Sequence, residues 1–178
     1  MTVNLPDFNA EAFELFFLFT YTHNMVGTRL NDTSNSTTDR EWLNLVQAWA
    51  LGDHLYASAF KDAVIDVIIS KIHDNHLTPP LSLHRMIYCN VNADTLLRQL
   101  AVDIAAWHWD DTFLANQKRA GGWRGWDVCT DFFVDLALSL NKMKKTGQSG
   151  EPPFEGDTCT YHEHRLIGTP CYKSKSMF

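Results

Sequence analysis

The first sustained pattern of apolar positions runs from Asn9 to Thr22, where Phe13, Phe16, Phe17 and then Thr20 or Tyr21 recur at i, i+3, i+4 and i+7 or i+8. That spacing predicts a helix with one wide apolar face. Asn9 can cap its start, and Glu11 lies where the positive end of the helix dipole favours a carboxylate. From His23 to Thr38 the chain is rich in Asn, Thr, Ser and Asp, whose side chains compete with backbone hydrogen bonds, so a surface loop is expected, with at most a short strand near Met25. Thr38-Asp-Arg-Glu41 has the capping-box pattern and opens a second helix carrying Trp42, Leu45, Val46 and Trp49 toward Asp53. A third starts near Ser58, with Phe60, Val64, Val67, Ile68 and Ile72 at helical spacing, so the two read as a helical hairpin.

Pro79 and Pro80 mark another helix start, followed by Leu83, Met86 and Ile87. The clearest pattern, from Ala93 to Trp109, brings Leu97, Leu100, Ala101, Ile104, Ala105 and His108 to or near one face, and the glycines of 120–125 break the helical stretch off. A last helix over 127–143 is expected to gather Phe132, Phe133, Leu136, Ala137 and Leu140 on a single side. Lys142, Lys144 and Lys145 suit the negative end of its dipole. Beyond Thr146, a Gly- and Pro-containing connector leads into residues of little apolar content, read as a flexible tail over 146–178. The expectation is therefore a mainly α fold, a helical bundle over residues 8–145, with no repeat period that would signal a solenoid.

Composition narrows the function classes. The 178 residues include 45% apolar and 20% charged positions, six Trp and eleven Phe, enough to build one core. The formal charge of -6 argues against a phosphate-binding face and so against nucleic acid as a partner. No apolar run approaches the roughly 20 residues of a membrane span and no secretory leader pattern is present, so an intracellular protein, cytoplasmic or nuclear and without a membrane partner, is expected. Cys89, Cys129, Cys159 and Cys171 are too few and too irregularly spaced for a disulfide framework. Asn31 and Asn35 sit in glycosylation sequons and read simply as loop residues.

Val3 to Thr22 resembles the BTB/POZ segment in which an acidic turn precedes Phe-x-x-Phe and an aromatic ending, here Phe19-Thr-Tyr-Thr22. Leu45-Val-Gln-Ala-Trp-Ala-Leu-Gly-Asp-His-Leu55 is similar to that family's "Leu-x-x-Leu-Tyr-x-Leu-Ala-Asp-Lys-Tyr" helix, and the segment from Phe60 to Ile69 to its next helix. Ile87-Tyr-Cys-Asn90, Leu96 to Trp107, Phe132 to Leu136 and Cys159 to His164 look like the helical extension that follows the domain in fungal-type members. The resemblance implies a partial BTB/POZ-like helical region over 1–77, an extension over 78–145 and the tail, with the family's sheet largely missing. It also implies a scaffold or adaptor that binds protein partners or oligomerises. Without the sheet, Phe13, Phe16 and Phe17 lack their usual cover, which makes them the candidate partner-binding residues and makes self-association the expected behaviour. Cullin-type scaffolds commonly read a hydrophobic-x-Glu motif in the loop after the first of these helices. The loop from His23 to Thr38 has no Glu, which argues against such a partner.

Candidate chemistry is sparse. Cys159-x-x-His162-x-His164 with Cys171 is the one metal-like set: two thiolates and two imidazoles can complete a tetrahedral zinc shell. The His-x-His spacing departs from the usual Cys-x(2-4)-Cys and His-x(3-5)-His pattern, so the first reading is surface residues of a loose tail with no cofactor, and zinc is the alternative. Cys129 and Cys89 read as core residues. His108 with Asp110 and Asp111, Asp53 with His54, and His73 with His76 read as polar helix ends rather than acid–base sites. No phosphate loop, dinucleotide fingerprint, zincin motif or nucleophile elbow occurs, so the expectation is a non-enzymatic protein–protein interaction module. The alternatives are a zinc-stapled regulatory protein and a truncated gene product without independent function.

Overall fold

The computed structural model describes residues 8–25, 38–75, 79–121, 130–147 and 150–174. Among the described residues it is mainly helical, at 76%, with no strand, as the apolar periodicities require. Among the described residues eight α-helices follow one another: α1 Ala10–Thr22, α2 Thr38–His54, α3 Ser58–Asn75, α4 Leu81–Asn90, α5 Leu96–His108, α6 Asp111–Ala120, α7 Thr130–Thr146 and the single turn α8 His164–Ile167. Short 3-10 turns cover Thr158–Tyr161 and Tyr172–Ser174. None of the described helices is long and apolar enough to cross a membrane. Most of the expected loop between His23 and Thr38 lies outside the described residues, as do Cys129 and His76.

The chain forms two compact units, Met1–Ile68 with His162–Phe178, and Ile69–Tyr161. The division falls inside α3.

In the first unit, Asn9 caps α1 by accepting from the Ala12 amide at 2.7 Å and donates through Nδ2 to Asn44 of α2 at 2.8 Å. Here the structure corrects the choice of face. The side of α1 that buries is Ala12, Leu15 and Phe19, while Phe13 and Phe17 stand half exposed and only Phe16 turns partly inward, its ring 5.1 Å from that of Phe60. With Phe or Leu at 13, 15, 16, 17, 18 and 19, the helix is apolar nearly all round, and periodicity could not choose. Phe60 and Phe19 meet at 5.5 Å, and Lys61 to Ile65 of α3 are all buried.

In the second unit, α5 packs on α4 and α7. Phe132 is fully buried, with the rings of Tyr88, His84 and Trp109 at 5.1, 5.4 and 5.5 Å. The inward stripe of α7 is not the expected one. It runs Phe132, Asp135, Leu136, Ser139 and Met143, while Phe133, Ala137 and Leu140 are exposed. Asp135 belongs to it because its carboxylate accepts from the Tyr88 hydroxyl at 2.7 Å. The reading of 146–178 as an apolar-poor tail also differs from the structure. Phe154 stacks on His108 at 5.5 Å and Tyr161 is buried with its hydroxyl donating to Asp103 at 2.8 Å, so a few well-placed aromatics do what average composition hid.

Candidate functional site

Two features could carry function: a cluster of Cys and His on the segment from Cys159 to Cys171, and the outer side of α1.

The cluster is built by short-range chain geometry. Cys159 sits on the 3-10 turn Thr158–Tyr161, its amide held by Asp157 Oδ1 at 3.0 Å; His162 follows directly, and His164 opens α8. Gly168 ends that turn at φ 68, a left-handed conformation that suits glycine, and the chain then delivers Cys171. One potential ligand atom from each of Cys159, His162, His164 and Cys171 lies within 4.8 Å of all the others. Both sulfurs are thiols and not half of a disulfide.

Behind the imidazoles stand Asp62 and Asp66 of α3, four residues apart and so on one face of the helix. Asp62 is fully buried: Oδ1 accepts from the Glu163 amide at 2.7 Å, and Oδ2 lies 3.0 Å from His164 Nδ1. Asp66 Oδ1 comes 3.2 Å from His162 Nε2 without hydrogen-bond geometry, while its other oxygen accepts from the Tyr172 hydroxyl and pairs with Lys173 Nζ at 2.8 Å. His162 is wholly buried, and neither of its ring nitrogens makes a hydrogen bond within the described residues. Burial, with Asp66 beside it, pushes the Tyr172 phenol far above its ordinary range, so it stays a neutral donor. Lys61, 5% exposed, completes the surroundings by pairing with Asp53 at 2.8 Å and with Glu163, its ammonium 5.0 Å from the centre of the Trp49 ring.

On α1, Phe13, Phe17 and Tyr21 follow the i, i+4, i+8 row and are 47%, 54% and 73% exposed, which separates them from the buried row on the opposite side. The Phe17 and Tyr21 rings lie 4.6 Å apart. Of the expected partner-binding residues, Phe13 and Phe17 are available and Phe16 is engaged with Phe60.

The other polar groups singled out in the sequence serve helix ends. Asp110 caps α6 by accepting from the Phe113 amide at 2.6 Å, His108 stacks on Phe154, Asp53 pairs with Lys61, and His54 lies 5.7 Å from Phe8. Cys89 is exposed rather than a core residue. An open groove in the second unit is lined in part by Tyr88, Arg98, Asp103, Asp135 and Lys142. Asp103 and Asp135 accept from tyrosine hydroxyls, and Arg98 is spent on the carbonyls of Tyr88 and Val91. Asp62 and Asp66 were the residues sequence reasoning missed; their i, i+4 spacing on either side of the apolar run Ala63-Val-Ile65 was the available signal.

Comparison with family models, curated proteins and solved structures finds no match for this chain.

Proposed function

We propose that the protein is a non-enzymatic interaction module, a BTB/POZ-like scaffold or adaptor, and that the outer face of α1 is its adhesive surface. The observation that carries this reading is the ridge of Phe13, Phe17 and Tyr21: three aromatic rings in one row, on a helix firmly anchored through Ala12, Leu15 and Phe19 on its other side. Covering each half-exposed ring is worth on the order of 1 kcal/mol or more, so a partner that covered the row would gain several kcal/mol from a surface that needs little ordering. The resemblance of the quoted segments to fungal-type BTB/POZ proteins supports the same class. Cullin-type scaffolds remain the less favoured partner, because the loop after α1 lacks Glu.

Self-association is the simplest consequence, and it is measurable. Light scattering across a concentration series should show a mass that rises above one chain and returns to one chain in Phe13→Lys/Phe17→Lys. A wild-type chain that stays monomeric and soluble at high concentration, and scatters identically to the double variant, would remove the support for this surface.

A further inference from the structure

We propose that Cys159, His162, His164 and Cys171 bind one zinc ion in a tetrahedral two-thiolate, two-imidazole shell, and that Asp62 positions His164. Zinc at about 2.3 Å from sulfur and about 2.0–2.1 Å from nitrogen sets ligand-to-ligand separations of roughly 3.3–3.8 Å in a tetrahedron. No pair of the four donor atoms, all within 4.8 Å of one another, therefore needs to close by more than about 1.5 Å to hold such an ion.

The second observation is independent of that spacing. His162 has no exposed surface, and both its nitrogens lack hydrogen bonds among the described residues, although buried imidazoles nearly always find a partner. Nε2 lies toward Asp66 and Nδ1 is the nitrogen left over, so a cation in the cluster would satisfy the side chain that the fold itself does not. His164 carries the complementary sign: its Nδ1, 3.0 Å from the Asp62 carboxylate, is fixed as the protonated nitrogen, which leaves Nε2 as a lone-pair donor. An imidazole oriented by a carboxylate behind it is the arrangement metal-ligating histidines use, and the pair of Asp62 and His164 has it.

Binding would release the two thiol protons to solvent, and the two thiolates would cancel the ion's charge. Two soft and two borderline donors select zinc over calcium or magnesium, which take oxygen. The ion would lock α8 and the turn Tyr172–Ser174 into place, and with them Tyr172, whose ring lies 6.0 Å from that of Phe19.

The test is cobalt(II) titration of the full chain after chelator treatment, in a non-chelating reductant. One cobalt per chain, with the visible bands of a tetrahedral ion and thiolate-to-cobalt charge transfer, displaced by one equivalent of zinc, is the expected result. Cys159→Ser and Cys171→Ser should each diminish the charge-transfer band and weaken binding at least 100-fold, whereas Cys89→Ser and Cys129→Ser should leave both unchanged. Asp62→Asn should weaken zinc about 10- to 100-fold while preserving the thiolate band, the signature of a positioning residue. The wild-type spectrum decides even if the cysteine variants fail to fold. Octahedral cobalt without thiolate charge transfer, absence of stoichiometric binding, or full retention of metal by Cys171→Ser would overturn the proposal.

Discussion

Acidification from pH 8 to pH 5 should destabilise the unit spanning Ile69–Tyr161 through His84. This ring is fully buried, packed 4.8 Å from Trp109 and 5.4 Å from Phe132, with Nδ1 3.4 Å from the Pro80 carbonyl and no hydrogen bond to Nε2 among the described residues. Burial, with His108 adding to it and the Pro80 carbonyl opposing, holds the folded-state pKa down at about 3, against 6.5 for an unperturbed histidine. The unfolded chain takes up a proton as pH falls below 6.5 and the folded chain does not until near 3. Stability from this group is therefore complete above 6.5 and is lost through that window, at up to about 1.4 kcal/mol per pH unit. By pH 5 the loss amounts to about 2 kcal/mol, and it barely changes for any folded-state pKa below about 4. Urea unfolding followed by tryptophan fluorescence, for wild type and His84→Leu at pH 8, 6.5 and 5, isolates the effect, because titration of other groups cancels in the difference. The wild type should lose about 2 kcal/mol relative to the variant between pH 8 and pH 5. Parallel pH profiles for the two proteins would show that His84 is not held neutral by burial.

Arg98→Ala should cost about 2–3 kcal/mol, since Nε and Nη2 reach the Val91 carbonyl at 3.0 and 2.6 Å and Nη2 the Tyr88 carbonyl at 3.1 Å, capping the end of α4; Arg98→Lys should restore less than half in thermal or urea melts, for want of the fork. Gly52→Ala would place a methyl 2.9 Å from both Lys61 Cγ and Phe60 Cδ1. Both neighbours are buried and Lys61 is held by two carboxylates, so overpacking should outweigh the gain in helix propensity and leave a net loss of about 1–2 kcal/mol, measured by urea unfolding. Tyr161→Phe should lose about 1–2 kcal/mol by removing the 2.8 Å hydrogen bond to Asp103, whose carboxyl is already raised by burial, and an unchanged melt would mean that solvent satisfies Asp103 equally well.

Helices with a narrow apolar stripe were legible from residues alone: α2, α3 and α5 begin and end within a few residues of their expected limits, and Leu97, Leu100, Ala101, Ile104 and Ala105 are all buried as the period demanded. α6 was missed because it buries nothing; only its Asp110 cap and the left-handed Gly121 after Ala120 mark it, and caps without an apolar face are weak signals. α1 and α7 were recognised as helices and misread as surfaces. In α1 an all-round apolar surface left the facing undetermined, and in α7 a polar Asp135 sits inward because a tyrosine hydroxyl awaits it. The Cys/His set was visible as residue types, but the case for a site rests on Asp62 and Asp66, about a hundred residues earlier in the chain. No local spacing rule connects groups that far apart; only the return of the last segment onto the first half of α3 does.

Zinc K-edge absorption on the full chain carrying one equivalent of the metal addresses the Cys/His cluster most directly. Two sulfur scatterers at about 2.3 Å and two imidazole nitrogens at about 2.0–2.1 Å are the expected shell. A shell of nitrogen and oxygen alone, with no sulfur, would contradict the account.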